Sequence, residues 1–424
     1  MSRIVLICTL VLAGEMVFGL PFHTARFFRP TLLEVFGFSN TQLGDLFAVY
    51  GITAMIAYFP GGALADRFSP RTLMCASLVA TALGGLYMAT IPGAAGMAAL
   101  YGFWGVTTVL LFWGALIKAT REWGGHGAQG RAFGILDAGR GAVAFAVAGV
   151  TVLLFASLMP EDAALASDAE RLDGFRAVIY AYTVITLGTA ALVWLLIPKS
   201  TTTSSAAQAL SGMTVVLRQP VVWAQAAIIV CAYCGFKGLD YYSLYAVDVL
   251  DMNEVDAAKF ATWGALVRPV GALAAGLLAD RYGATRMIGA SFVVLVLSYA
   301  PLSVLSPSAH GVALIYLNLF VTFFAVFALR GIYFALLEEN RTPATITGAA
   351  VGMVSLIGYT PEIFFAPITG RILDANPGVV GHQNFFLFLT GVAALGVIIV
   401  ALLVRLRRRG PAWPVTSEPA TRSE

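Results

Sequence analysis

Runs of about twenty apolar residues recur along the whole of this chain, and nothing else in it limits the fold so much. Rising 1.5 Å per residue as a helix, each run can cross roughly 30 Å of hydrocarbon. Lipid offers backbone amides no partner, and a helix satisfies its own. Only 12% of the 424 residues are charged against 59% hydrophobic, with mean hydropathy +0.82, too little charge to cover a soluble domain of this length. The sequence therefore predicts an all-α membrane protein with twelve spans. They fall at about 4–26, 42–65, 72–91, 95–118, 131–157, 174–197, 221–247, 258–279, 285–305, 310–336, 345–371 and 382–406. The longest breaks are 158–173 and a Ser/Thr-rich stretch near 198–218.

Orientation follows from the basic residues, which collect on the cytoplasmic side of a membrane. Arg67, Arg71, Lys118, Arg121, Arg131, Arg281, Arg286 and the cluster Arg405 to Arg409 fall on one side. Only Arg26, Arg29, Arg171, Arg176, Lys259 and Arg371 fall on the other. Both termini are expected in the cytoplasm of a bacterial inner-membrane protein. The first span, with Glu15 inside it and no small-residue cleavage site, reads as a retained helix and not a signal peptide. The polar, Pro-containing tail reads as disordered.

Composition and side-chain spacing also narrow the chemistry. The net charge of +3 suits an anionic leaflet as neighbour and carries no nucleic-acid signature. Cys8, Cys75, Cys231 and Cys234 all lie in spans and read as thiols. Cys231-Ala-Tyr-Cys234 has neither a preceding strand nor a second pair to complete a metal site, and the four histidines lack ligand spacing. No metal, cofactor or catalytic constellation is expected, so the chain does not read as an enzyme.

The two halves repeat each other. Gly62-Ala-Leu-Ala-Asp66-Arg67 closes the second span, and Gly276-Leu-Leu-Ala-Asp280-Arg281 closes the eighth. Trp113-Gly114 in span four corresponds to Arg330-Gly331 in span ten, and Gly134 in span five to Gly352 in span eleven. The first copy continues to Arg71, and Gly61-Gly62-Ala-Leu-Ala-Asp66-Arg67-Phe-Ser-Pro-Arg71 resembles the signature loop of the major facilitator superfamily. That resemblance, which extends over the whole chain through span count, repeat and linker, implies two pseudo-symmetric six-helix bundles around a central solute site. The bundles are expected at 1–197 and 219–407, joined by a cytoplasmic linker at 198–218 and followed by the tail at 408–424. Gly62 and Gly276 are of the size that permits close helix approach. Asp66 and Asp280 stand at helix C-termini, where a carboxylate opposes the dipole and needs a partner such as Arg67, Arg71, Arg281 or Arg286. Such a cluster is expected to latch an inner gate.

Ionisable residues inside spans are costly, so each is a candidate functional group. Asp137 and Arg140, three apart, are expected to pair on one helix face near the inner gate, and Lys237 and Asp240 share that spacing. Arg268 and Arg330 have no acid three or four positions away and are expected to seek an anion from protein or solute; guanidinium forks suit carboxylate and phosphate. Glu15 and Glu362, carboxyls in apolar spans, are candidates for proton coupling together with Asp240. Proline at 361 and 367 predicts a bend in span eleven beside Glu362. Tyr58, Tyr241 and Trp263 are expected to shape the solute site, with Trp104, Trp113, Tyr242 and Tyr359 as further aromatic candidates.

Gly37-Phe38-Ser39, Leu43-Gly44 and the D-R-x-x-P-R form of Asp66 to Arg71 are similar to the organophosphate–phosphate and organic-anion branch. The basic positions of that branch are replaced here by Tyr58, Phe22 or His23, and Gly235. Nitrate porters place an arginine in helix two, where this chain again has Tyr58, and one in helix eight, a turn from Arg268. Drug–proton antiporters differ from it at Trp113 and in the proline-free Gly134 to Gly141. The expectation is a monomeric, proton-linked secondary transporter of a small anionic organic solute, with Arg268, Arg330 and Lys237 on its charge. The alternative is anion exchange without protons, of the organophosphate–phosphate or nitrate–nitrite type; a membrane receptor or enzyme is a more distant one.

Overall fold

The computed structural model describes residues 2–125, 129–199, 216–305, 312–340, 342 and 347–408; the side chains of Phe59, Asp66, Gln129, Gly130, Arg131, Val312, Ala313 and 347–349 lie outside the description. Most of the linker and nearly all of the tail also lie outside it. Ten of the described helices are long and apolar enough to cross a membrane. An eleventh crossing is the pair Arg3–Met16 and Gly19–Phe27, bent by 44°, and helix Asn40–Arg67, 28 residues long, supplies the twelfth.

Local chemistry explains the boundaries. Helix Arg29–Phe36 stops at Gly37, whose φ of 62° is a left-handed cap that glycine adopts without strain. Ser39 then opens Asn40–Arg67 with a capping box to Gln42. A second box, Ser167 with Glu170, starts span six at Asp168, so the expected 158–173 break is shorter than its composition suggests. Pro70 and Pro220 occupy first-turn positions, where their missing N–H costs nothing. Pro269 lies inside Glu254–Tyr282, which continues through it.

Several spans lose α-helical regularity part-way across. Span one is π-helical at Gly19–His23 and span four at Thr107–Trp113. Spans seven and ten each carry a 3-10 turn, at Leu239–Tyr241 and Tyr333–Ala335. Span eleven is interrupted at Tyr359–Thr360, between Thr347–Gly358 and Pro361–Ala375, just before Pro361, while Pro367 lies inside the second helix. Irregular backbone survives at membrane depth where it lines a cavity. Spans one, four, seven and ten correspond across the repeat.

The repeat also shows in packing. Gly114 of span four approaches Gly61 and Ala65 of span two, and Gly331 of span ten approaches Ala272 of span eight. Gly62 and Gly276 do not serve this role: a side-chain carbon at either would meet no atom within 4 Å. The close approach expected of them belongs to their neighbours, and they face open space. The two halves touch chiefly at the end of the molecule opposite Arg67, Arg71 and Arg281, called here the sealed end. The end carrying those arginines is the basic end.

Candidate functional site

A cavity of about 900 Å³, its open mouth included, lies between the halves. Span one contributes Glu15, Phe18, Phe22, His23 and Arg26, a stripe at helical spacing, and span seven contributes Tyr233, Phe236 and Lys237. Span two adds Tyr50, Met55 and Tyr58; span four Trp113; span five Arg140; span eight Arg268; span ten Arg330; span eleven Tyr359 and Glu362. Trp113 and Arg330, equivalent in the repeat, thus line one cavity.

The buried charges form two networks. In the first, Glu15 meets Arg140 at 3.0 Å, Arg268 at 3.5 Å and His23 at 3.1 Å, while Asp137 holds Arg268 at 2.7 Å. In the second, Lys237 meets Asp240 at 3.0 Å and Glu362 at 3.2 Å, and Asp240 also meets Arg26 at 2.5 Å. Glu362 takes a short hydrogen bond from the Tyr233 hydroxyl as well. Arg26–Asp240, Arg268–Glu15 and Arg268–Asp137 each join one half to the other.

Arg330 stands apart. Its guanidinium lies 3.9 Å from the Phe236 ring centroid and 5.8 Å from that of Tyr233. It makes no ion pair among the described residues, and its buried Nη1 lacks a hydrogen-bond partner. A ring face offsets part of a cation's desolvation, but less than a carboxylate does.

The sealed end is made by contacts across the halves. The Asp374 carboxylate accepts the backbone N–H groups of Asn40 at 3.1 Å and Thr41 at 2.7 Å, capping the N-terminus of span two from span eleven. Glu254 of span eight accepts from Thr31 and Arg171. Arg29, fully buried, lies 3.9 Å from the ring centroid of Tyr241 and donates to Asn40. Gly44, Gly51 and Gly370 admit the backbones of Ala366, Glu362 and Asn40 so closely that any side-chain carbon would collide.

Several expectations need correction. Arg268 lines the cavity, but the anions that meet it are the protein's own: Glu15 and Asp137 come from the other half, where sequence spacing cannot find them. Glu15 sits among cations and not in apolar surroundings. Asp137 and Arg140 approach each other only to 4.0 Å; Asp137 binds Arg268 across the halves, whereas Arg140 binds Glu15 within the N-terminal half. Trp263 is 64% exposed, packs on Phe145 and lies off the cavity wall. Tyr241 also lies off it, bonded to Thr369 beneath Arg29. Trp104 is buried within its own half, donating to Thr81, and Tyr242 is buried in the C-terminal core. Tyr58, Trp113 and Tyr359 do line the cavity. Arg67 and Asp280 are exposed, neither with an ion pair among the described residues, and Arg71 lies over Trp194. Arg281 is likewise exposed, its guanidinium 5.3 Å from the Tyr282 ring centroid. All four cysteines are free thiols.

The sequence reading missed His23, Tyr233 and Phe236 in the wall, and it placed Arg26 and Arg29 among outer loop charges. The first three share helical stripes with Glu15 and Lys237, so extending the stripes by about two turns from Glu15 and one from Lys237 finds them. Arg29 gave no such signal.

Comparison with known proteins agrees with this architecture. The model for the Major Facilitator Superfamily matches residues 11–366. Inner membrane protein YqcE of Escherichia coli is 29% identical over 380 residues, 87% of each chain. Inner membrane protein YihN of the same organism is 27% identical over 412 residues, 93% of this chain and 94% of that one. Among solved structures, the nucleoside transporter NupG superposes with TM-score 0.73 at 13% identity, covering 95% of this chain and all of that one. A bacterial homologue of the human lysosomal transporter Spinster, inward-facing and unoccupied, gives 0.71 at 13% identity and 96% coverage of both. This chain, an integral inner-membrane protein, belongs to the major facilitator superfamily.

Proposed function

We propose that this protein is a secondary transporter of a small organic anion, working by alternating access with proton coupling at Glu362. The observation that carries the anionic reading is Arg330, a cation in the cavity wall with an unpartnered donor and no carboxylate of its own. A carboxylate on the solute supplies what that guanidinium lacks. Tyr58, Trp113 and Tyr359 bound the solute's carbon skeleton. Arg268 acts on the solute through the acids it holds, joining the halves at mid-depth. Glu362 borders the cavity and shares Lys237 with Asp240, so its protonation leaves Lys237 to Asp240 alone and frees a donor beside the solute.

The positive-inside bias makes the basic end cytoplasmic, with both termini on that side. The conformation is then inward-facing, with Arg67, Asp280 and Arg281 exposed and Arg71 over Trp194, none of them in an ion pair among the described residues; the side chain of Asp66, the remaining latch group, lies outside the description. The latch groups engage when that end closes.

A thermal-shift screen of the purified protein tests the reading. It runs sugar acids, mono- and dicarboxylates, organophosphates and nitrate against neutral sugars, nucleosides and cationic drugs, at pH 5.5 and 7.5. A ligand at a hundred times its Kd stabilises by about 2.7 kcal/mol. The expected result is stabilisation by an anion, stronger at pH 5.5 and lost in Arg330→Gln. Stabilisation by neutral or cationic compounds alone overturns the anionic reading, and a pH-independent anion effect favours exchange without protons.

A further inference from the structure

The ion pairs that join the halves around the cavity treat their two partners unequally. Arg26 of span one meets Asp240 of span seven, and Arg268 of span eight meets Glu15 of span one and Asp137 of span five. Each of these acids also has a cation in its own half. Asp240 keeps Lys237 at 3.0 Å, Glu15 keeps Arg140 at 3.0 Å, and Asp137 keeps Arg140 at 4.0 Å. Neither Arg26 nor Arg268 pairs with an acid of its own half among the described residues. Arg29 is in a similar position: it is fully buried, its Nη1 and Nη2 have no partner, and the Tyr241 ring that covers it belongs to the other half. Parting the halves at the sealed end therefore uncovers cations and leaves the cavity's acids paired. The rim, outside the cavity wall, differs: there Arg171 keeps Glu34 and Asp168, and Glu254 is the group that loses its cation.

We infer that the cavity holds an anion more tightly when it opens at the sealed end than when it opens at the basic end, and that Arg26 makes the difference. This rests on the anionic reading proposed above and adds a solute-binding residue to it. Arg26 already lines the cavity here, but Asp240 occupies it. Its guanidinium lies 4.8 Å from the Phe236 ring centroid and that of Arg330 lies 3.9 Å from the same centroid, so both border one ring. When the sealed end parts, Asp240 withdraws with span seven and Lys237, and Arg26 is left as an unpaired cation across the cavity from Arg330. An anion seated between the halves then takes hydrogen bonds from both guanidiniums. Closing that end returns Arg26 to Asp240, and the anion reaches the basic mouth with one donor group fewer. Arg29, uncovered on the approach, draws anions towards the sealed end when it opens. Gradients still set the direction of transport. The asymmetry sets the concentration at which each mouth loads, and it suits capture from dilute solution at the sealed side.

The test compares two variants that hold opposite mouths open, each at a glycine off the cavity wall. Gly370 takes the Asn40 backbone so closely that Gly370→Leu bars the sealed end from closing, whereas Gly62→Leu, with nothing within 4 Å here, obstructs only closure of the basic end. Gluconate, nicotinate, succinate and glucose 6-phosphate are titrated calorimetrically against each purified full-length variant. Whichever of them binds should bind about tenfold or more tighter to Gly370→Leu. Adding Arg26→Gln should weaken binding to Gly370→Leu by about that factor and leave Gly62→Leu unchanged, because there Asp240 already holds Arg26. Arg330→Gln should weaken both. If Gly370→Leu fails to fold, Gly44→Leu, which meets the Ala366 backbone, replaces it. Equal affinities, tighter binding to Gly62→Leu, or an Arg26→Gln effect common to both variants, as a merely structural role would give, overturns the asymmetry and leaves the anionic reading standing. So does binding of an anion to the unaltered protein but to neither variant. Preference for glucose or nicotinamide over the anions overturns both readings, as does failure of all four anions to bind the unaltered protein and the variants alike.

Discussion

The same two helix pairs, spans two with eleven and five with eight, are closed towards one end of the molecule and open towards the other. On the closed side Gly44, Gly51 and Gly370 take backbone atoms of the opposite half against their α-carbons, and Gly141 takes the Arg268 side chain. On the open side Gly62, Gly134, Gly276 and Gly352 have nothing within 4 Å of a side-chain carbon. Antiparallel register relates the two sets. Gly51 faces Glu362, and about three turns further along Gly62 comes opposite Gly352. Gly141 faces Arg268, and about two turns further along Gly134 comes opposite Gly276. The open glycines are thus the unused half of a zipper. If the basic end closes in the other conformation, as proposed above, their smallness is expected to serve that closure.

The largest effect should come from the ionic part of the closed end. Removing one partner of a buried pair costs about 3–5 kcal/mol. Arg26→Ala should fall at or below the bottom of that range, because Asp240 keeps Lys237 and Arg26 is 15% exposed. A cysteine at Ala258, in a background without native thiols, should then label much faster with an impermeant maleimide added from the sealed side. Unchanged labelling would break the comparison, since the seal would owe nothing to this pair.

Next come the glycines, where overpacking costs about 1–3 kcal/mol. Gly51→Leu should destabilise the conformation described here and raise the same labelling. Gly62→Leu and Gly352→Leu should leave thermal stability nearly unchanged, preserve ligand binding and abolish transport. Retained transport in both would remove Gly62 and Gly352 from the closing surface.

A smaller shift, about 0.3–1 kcal/mol for a charge at a helix N-terminus, is expected of Asp374→Asn, which keeps the shape of the cap but not its charge. It should be readable as a modest rise in labelling. Still smaller is a pH effect at Glu34. Burial and the neighbouring Glu254 raise its pKa above 4.5, against the opposing pull of Arg171. The sealed end binds this proton more tightly than the free side chain does. The contribution is therefore complete below pH 4.5 and is lost as pH rises through the raised value. Glu34→Gln should flatten that part of the labelling profile; an unaltered profile would assign it to another group.

The spans were legible because hydropathy and length are properties of consecutive residues. The broken span eleven was legible too, since Pro361 marks it directly. Lys237 with Asp240 could be paired from spacing, because both sit on one turn of one helix. Arg268 could not: its acids come from spans one and five, and helix periodicity says nothing about a neighbour a hundred or more residues away. Trp263 failed for a related reason. A tryptophan in a span reads the same whether it faces the cavity or the surface, and the rotation of span eight about its axis decides which.

By itself, then, the sequence determined a twelve-span helical protein, its repeat, most of the ends of its helices and the charges within its spans, though not Arg26 and Arg29, because each of these is written in local periodicity, capping and composition. Only the tertiary structure decided which of those charges neutralise one another, and that Arg330 in the cavity wall and Arg29 at the sealed end are each left without a carboxylate among the described residues. Ion pairing in a low-dielectric interior depends on distances of a few ångströms between side chains from different helices, and those distances exist only once the halves have packed.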